Sequence, residues 1–267
     1  MSPPTSLLIL GCGNMGGAML AGWLAGDAPL TITVVDPVVP QVPAGVRLLR
    51  TVPAEHFEVV LLAVKPQTLD QVAPPLASSL TRTTVLLSIL AGAELASLAT
   101  RFPAAGTIVR VMPNLSAAIG KSPLGLYAGA ISPAMRSRID AWLAPLGTPE
   151  WLASEAQLDA VTALVGSGPA FVYRFIAAMS AGGAALGLDP AQADRLARAA
   201  VEGAALLAAA SPATLGELAQ RVTSPGGTTA AGLAVIDAEA ALSQLIAETL
   251  RAARDRGAEL AAAAARG

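Results

Sequence analysis

The sequence predicts an α/β fold in two parts: a domain built on a parallel sheet over residues 1–152, then an all-helical domain over residues 153–267. Two patterns predict this division. Up to residue 152, short apolar runs typical of buried strands alternate with helical segments, which is the rhythm of a parallel sheet with crossover helices. After residue 152 strand patterns stop, and alanine-rich helical segments follow, separated by Gly or Pro.

The elements follow from apolar runs and their punctuation. The predicted strands are residues 6–10, 30–35, 46–50, 59–64, 84–89, 107–111, 124–127 and 150–152. The predicted helices are residues 15–25, a segment from Pro66 through Leu76, and residues 94–101, 133–143, 158–165, 170–185, 190–210, 213–221, 229–236 and 240–265. Residues 37–45 contain three prolines, so we expect an irregular link there instead of a crossover helix.

A glycine turn, GCGNMG, follows the first strand. Gly11 permits a tight turn, Gly13 lets backbone approach a pyrophosphate, and Gly16 lets the next helix pack against the strand. The second strand ends at Asp36, about 20 residues further on, where a carboxylate can bind the ribose hydroxyls of a dinucleotide. Together these features predict a dinucleotide site of Rossmann type.

A second turn, TSPGGTT at residues 223–229, lies between two predicted helices. Pro225 presets φ, while Gly226 and Gly227 allow backbone close to a ligand. Amides at the start of the following helix favour a carboxylate or phosphate without a charged side chain. The turn therefore predicts an anion site, although an ordinary inter-helix turn has the same residue types.

Composition limits the classes of partner. The net charge of −2 provides no basic surface for nucleic acid or anionic lipid, so we expect a small-molecule partner. Cys12 is the single cysteine, which excludes an intramolecular disulfide and a cysteine-based metal cluster, and we expect no metal.

Charge patterning also bears on location. The first 26 residues are uncharged, but no Lys or Arg precedes the apolar run and glycines interrupt it, unlike an export signal. Long uncharged stretches elsewhere, such as residues 122–135 and 175–188, are shorter than a membrane span. We expect no membrane association and a cytoplasmic location, which a single cysteine fits.

Five motifs occur in order along the chain: GCGNMG, AVKPQ, VMPN, GSGPAF and TSPGGTT. Together they resemble the pyrroline-5-carboxylate reductase family over nearly the whole chain. The resemblance implies reduction of the cyclic imine 1-pyrroline-5-carboxylate to L-proline with NAD(P)H, the last step of proline biosynthesis. It also implies that the helical domain is a dimerisation module, giving a homodimer, with a higher oligomer of dimers left open.

The resemblance implies a role for each motif residue. The cofactor would be held by Gly11, Gly13, Asn14, Met15, Gly16, Asp36, Ala63, Val64, Lys65, Pro66, Met112 and Asn114. The substrate carboxylate would be bound by Ser224, Gly227, Thr228 and Thr229. The Thr229 hydroxyl would lie near the imine nitrogen, which makes it the predicted catalytic residue.

Two alternatives stay open. A β-hydroxyacid-dehydrogenase-like enzyme would need a lysine on a helix of the second domain, and this chain has no Lys or His there. A dinucleotide-binding sensor without turnover fits Ala177 and Ala181, which replace acidic residues common in the family.

The choice between NADH and NADPH rests on Asp36 and its surroundings. A 2′-phosphate would meet the like charge of this carboxylate. Residues 37–45 contain no Arg, Lys, Ser or Thr, and the nearest cations, Arg47 and Arg50, belong to the following strand. We therefore predict that NADH is used at least as well as NADPH. In the alternative, Asp36 turns into solvent and discriminates little.

Overall fold

The computed structural model describes residues 6–26 and 30–264, so residue 265 of the last predicted helix and the outer ends of both predicted domains lie outside the described residues. The chain forms two compact units. One is Gly168–Ala252, which we call the helical unit. The other, the sheet unit, contains the remaining described residues, including those after Ala252.

The sheet unit contains one eight-stranded sheet within the described residues. Its strands are β1 (Ser6–Leu10), β2 (Thr31–Val35), β3 (Arg47–Leu49), β4 (Val59–Leu62), β5 (Val85–Ser88), β6 (Thr107–Met112), β7 (Ser122–Tyr127) and β8 (Gly147–Trp151). Their order is β3-β2-β1-β4-β5-β6-β7-β8, and every neighbouring pair is parallel except β6 with β7. The fold predicted for this part of the chain is therefore confirmed.

Alternate residues of the central strands supply two separate cores, as expected when both faces of a parallel sheet are covered. Leu7 and Ile9 of β1 belong to one core, and Leu8 and Leu10 to the other. This arrangement explains why these strands are continuous apolar runs in the sequence.

Five described α-helices lie before the helical unit in the chain: α1 (Asn14–Ala25), α2 (Leu69–Leu76), α3 (Leu95–Arg101), α4 (Pro133–Leu143) and α5 (Gln157–Val161). Residues 37–45 form no helix, as their prolines predicted. Trp23 of α1 stacks on Trp142 of α4, with ring centroids 4.7 Å apart, so these two helices pack on the same face of the sheet.

A buried ion pair fixes the end of β6. Arg110 is 7% exposed, and its Nη1 donates to Glu155 Oε1 at 2.7 Å. The same Glu155 oxygen accepts from the Leu95 N–H at 2.6 Å, at the start of α3. The Glu155 carboxylate thus joins β6, α3 and the segment before α5. Its partner Arg110 lies two residues before Met112 on β6.

The predicted helix over residues 158–165 is only partly α-helical. After α5, residues Thr162–Gly166 form a π-helical turn in which the Ser167 N–H donates to Thr162 O at 3.1 Å. Turns of this kind insert an extra residue into a helix and occur often at functional sites. Apolar spacing does not distinguish this turn from an α-helix.

The helical unit contains α6 (Gly168–Ala185), α7 (Pro190–Ala210), α8 (Leu215–Arg221), α9 (Thr228–Ile236) and the first half of α10 (Ala241–Ala264). Asp189 accepts from Gln192 N–H to cap α7, and Thr214 with Glu217 forms a capping box at α8. No helix of this unit is well buried within a single chain: among its described side chains only Ala193 and Ala197, both on α7, are buried.

Candidate functional site

The glycine turn after β1 has the geometry that its residues predict. Gly11 has φ of +91°, in the left-handed region that favours glycine, and a Cβ there would lie 2.6 Å from Ala63 O. A Cβ at Gly16 would press against the carbonyl oxygen of Gly11. Both glycines are therefore required for the close packing of β1, α1 and the end of β4.

The front of the same turn is open. A Cβ at Gly13 would meet nothing within 4 Å, and Gly13 is exposed. No side chain caps α1, and within the described chain the N–H groups of Asn14, Met15 and Gly16 have no acceptor. These donors at a helix N-terminus fit a pyrophosphate group.

The loop after β4 lies beside this turn. β2 and β4 flank β1 on opposite sides, so the crevice at the switch in strand order opens between the ends of β1 and β4. Ala63 N–H donates to Leu10 O at 2.8 Å, and Lys65 is extended and exposed before Pro66. Residues 63–66 therefore border the crevice, as predicted for a cofactor loop.

Asp36, directly after β2, is buried, and both of its carboxylate oxygens accept hydrogen bonds from backbone N–H groups. Its Oδ2 accepts from Cys12 N–H at 2.8 Å, and its Oδ1 accepts from Val38 N–H at 2.8 Å and Val39 N–H at 2.9 Å. Burial alone would raise the pKa of Asp36, but these three hydrogen bonds and the positive charge of Arg50 lower it below its usual value. The alternative in which Asp36 turns into solvent is not what the structure shows.

Arg50 is closer to this site than the sequence suggested. Leu49 pairs with Val35 in the parallel register, so Arg50 follows the end of β3 beside Asp36. Its Nη1 donates to Asp36 O and to Val39 O, each at 2.7 Å. The prediction that Arg50 belongs to the strand is therefore wrong, because β3 ends at Leu49 and the Arg50 guanidinium reaches across to the proline-rich link. Arg47 instead pairs with Glu55.

The loop after β6 is held from two directions. Asn114 is 7% exposed, its Oδ1 accepts from Ser116 N–H at 2.9 Å, and its Nδ2 donates to Val165 O at 3.1 Å in the π-helical turn. Met112 is also buried, and its Sδ would lie 3.6 Å from a Cβ at Gly166. The Asn114 side chain thus orders its own loop, a role that the sequence reasoning did not identify.

The second predicted turn precedes α9 in the helical unit. Gly226 has φ of +70°, Gly227 N–H donates to Ser224 O at 3.0 Å, and Gly227 caps the helix without a side-chain partner. Within the described chain the N–H groups of Thr228 and Thr229 have no acceptor, and the Thr229 side chain is exposed. Two amides at a helix start are thus available to an anion.

Ala177, where the family commonly has an acid, lies in a groove between α6 and α7. Tyr173 and Ile176 line the same groove, together with Asp194 and Arg198, which pair with each other at 2.8 Å. Among residues 6–26 and 30–264 no group of three or more His, Cys, Asp or Glu side chains could hold a metal ion.

Comparison with known proteins identifies the family of this chain. Residues 155–260 match the family described as "Pyrroline-5-carboxylate reductase dimerisation", and residues 6–92 match "NADP oxidoreductase coenzyme F420-dependent". The pyrroline-5-carboxylate reductase of Pseudomonas aeruginosa is 37% identical over 98% of this chain and 98% of its own length. The chain belongs to the pyrroline-5-carboxylate reductase family.

Solved structures of this family share the fold. The pyrroline-5-carboxylate reductase of Coxiella burnetii is 29% identical, with a TM-score of 0.87 over 96% of this chain and 98% of that one. The Plasmodium falciparum enzyme, solved with NADP bound, is 23% identical with a TM-score of 0.79 over 96% and 98%, and shows the fold alone. As a family member, the chain is an oxidoreductase that uses a nicotinamide dinucleotide.

Proposed function

We propose that this chain reduces 1-pyrroline-5-carboxylate to L-proline with NAD(P)H, which completes proline biosynthesis. The observation that carries the proposal is that one chain has both parts of such an enzyme. The sheet unit has a glycine cradle with unpartnered amides, and the helical unit has an anion turn with unpartnered amides. A protonated imine is already electrophilic, so positioning supplies much of the catalysis and no metal is required.

The sheet unit would hold the cofactor. Its pyrophosphate would be bound by the glycine-turn amides, and its ribose and nicotinamide would lie along the loops after β4 and β6. The residues proposed for this are Gly11, Gly13, Asn14, Met15, Gly16, Asp36, Ala63, Val64, Lys65, Pro66, Met112 and Asn114. When bound, the reduced nicotinamide supplies the hydride for the imine carbon.

The turn before α9 would hold the substrate. The N–H groups of Thr228 and Thr229 and the Ser224 hydroxyl would bind the carboxylate, and Gly227 leaves room for it. The Thr229 hydroxyl would hydrogen-bond at the imine nitrogen and orient the ring. The lost acids at Ala177 and Ala181 do not remove any of these groups.

The test is a spectrophotometric assay of reduced nicotinamide with 1-pyrroline-5-carboxylate as substrate. We expect substrate-dependent oxidation of the cofactor and formation of L-proline. Binding of the cofactor without turnover would instead identify a sensor, and oxidation of a 3-hydroxyacid with oxidised cofactor would identify the dehydrogenase alternative. Either result would contradict the proposal.

For the cofactor, we propose that NADH is used at least as well as NADPH. The charged carboxylate of Asp36 supports this, because three backbone hydrogen bonds hold it where a 2′-phosphate would approach. The link that follows has no cationic or hydroxyl side chain of its own.

For the assembly, we propose a homodimer formed through the helical domain, with domains at residues 1–152 and 153–267. The family match from residue 155 supports the boundary, and β8 ends just before it at Trp151. Whether dimers assemble further is left open. A cytoplasmic location is part of the same proposal, supported by the single cysteine.

A further inference from the structure

We propose that Arg50 is the cation of the adenosine site and takes the 2′-phosphate of NADPH, in opposition to Asp36. This inference rests on the proposed cofactor site and adds a residue to it. The chemistry recognised is an adenosine 2′-phosphate.

Asp36 and Arg50 lie at the same edge of the sheet. β2 and β3 are parallel and adjacent, and Asp36 N–H donates to Leu49 O at 3.1 Å, so Asp36 and Arg50 leave the sheet side by side at its carboxyl edge. Ligands of such sheets bind outside this edge. Asp36 is also bonded to Cys12 in the glycine turn, so both residues lie at the ribose end of the cofactor site.

The Arg50 guanidinium has hydrogen-bond donors that are available to a ligand. Arg50 has five N–H donors, and its Nη1 is committed to the carbonyl oxygens of Asp36 and Val39. In the described part of the chain no acceptor is seen for its Nε or Nη2, and the residue is exposed. An anchored guanidinium with unused donors fits a phosphate, which arginine binds through paired hydrogen bonds.

Backbone hydrogen bonds hold the Asp36 carboxylate in place. An ionised Asp has about four lone-pair positions, and three of them accept from Cys12, Val38 and Val39. Asp36 can therefore neither turn away nor offer more than about one position to a ribose hydroxyl. The negative charge of Asp36 and the positive charge of Arg50 act in opposite directions, so the wild-type preference between NADH and NADPH should be small. Removal of Asp36 should shift this preference toward NADPH, and removal of Arg50 should shift it toward NADH.

The experiment measures binding of adenosine 2′,5′-bisphosphate and of AMP by isothermal titration at low salt. These probes differ by the 2′-phosphate and need no imine reduction, so the result is independent of whether the proposed reaction occurs. The variants are Arg50→Gln, which keeps amide donors for the link, and Asp36→Ser. Arg47→Gln is the matched control, because Arg47 lies on β3, just before Arg50 in the chain, and pairs with Glu55.

We expect Arg50→Gln to raise the ratio of the dissociation constants, bisphosphate over AMP, by on the order of tenfold, as for loss of one charge-assisted pair. Asp36→Ser should lower that ratio, and Arg47→Gln should leave it unchanged. Equal weakening of both probes in Arg50→Gln would show that Arg50 only holds the link, and would overturn the inference. An unchanged ratio in Arg50→Gln would overturn it too, as would a wild-type protein that binds neither probe.

Discussion

At the scale of single residues, Asp36 has a structural role and a proposed role in the choice of cofactor. Its carboxylate joins the glycine turn to the proline-rich link through N–H groups of Cys12, Val38 and Val39. In the proposed cofactor site, the same charge would face a 2′-phosphate. A carboxylate that is already bonded in this way keeps its charge and its place, so its effect on the cofactor does not depend on a mobile side chain.

We therefore predict that the ratio of kcat/KM for NADH over NADPH is at least one in the wild type and falls in Asp36→Ser. The serine hydroxyl can donate to a phosphate and removes the like charge. The measurement is steady-state kinetics with each cofactor. A strong wild-type preference for NADPH would contradict the prediction, and an unchanged ratio in Asp36→Ser would show that Asp36 does not discriminate.

Thr229 is the residue for which we predict the largest loss of turnover. Thr229→Ala removes a hydroxyl proposed to bond the imine nitrogen, and loss of one such bond in a dry site costs on the order of 10² in rate. Since Thr229 is exposed in the single chain, folding should not change. Steady-state assays with circular dichroism and cofactor titration as controls check this. Thr229→Ser should retain much of the activity, and wild-type turnover by Thr229→Ala would refute the role.

Sequence patterns predicted the glycine turn, Asp36 and the substrate turn because each is a local feature with its own spacing. They could not place Arg50, because its contact with Val39 depends on the register of β2 against β3 and on a link without helix. They also missed the bond from Asn114 to Val165, since residues 51 positions apart have no local signal.

At the scale of elements, the packing of α1 depends on a glycine that belongs to no motif. A Cβ at Gly22 would press against Ala117 O and lie 2.7 Å from Leu146 Cδ2. A Cβ at Gly17, on the same helix, would have Cys12 O as its nearest neighbour outside the helix backbone, at 3.8 Å. The sequence identifies the helix but does not show which of its glycines is in contact.

We predict opposite effects of alanine at these two positions. Gly22→Ala should lower the free energy of unfolding by about 1–3 kcal/mol, because backbone and a buried leucine must move. Gly17→Ala should raise it by roughly 0.5–1 kcal/mol, because alanine favours helix and no neighbour must shift. Urea unfolding of the three proteins without cofactor measures both. A Gly22→Ala protein as stable as wild type would show that the contact is not limiting.

At the scale of the whole molecule, the surface of the helical unit is unusually apolar for a single chain. Its exposed large side chains include Val172, Tyr173, Phe175, Leu206, Leu207, Leu215, Val235 and Leu245. The run Gln157–Ala185 is even long and apolar enough to cross a membrane, with only 11% of its most apolar window buried. The match of residues 155–260 to a dimerisation family offers another account, in which a second copy covers this surface.

The last prediction is that the chain is dimeric at micromolar concentration and that its folded monomer is unstable. Leu206 and Leu207 are 55% and 61% exposed and are adjacent on α7, so they face different directions around the helix. The double variant Leu206→Glu, Leu207→Glu would bury charge without a partner in any interface that covers either side chain. We expect it to weaken association by at least about tenfold, equivalent to about 1.4 kcal/mol, and to lower the unfolding temperature.

Ile119→Glu is the control, because Ile119 is 73% exposed but belongs to the sheet unit. Light scattering should give at least twice 26.7 kDa for wild type and for the control, and less for the double variant. A folded and active wild-type monomer would contradict the proposed assembly, and a fully dimeric double variant would exclude both leucine side chains from the interface.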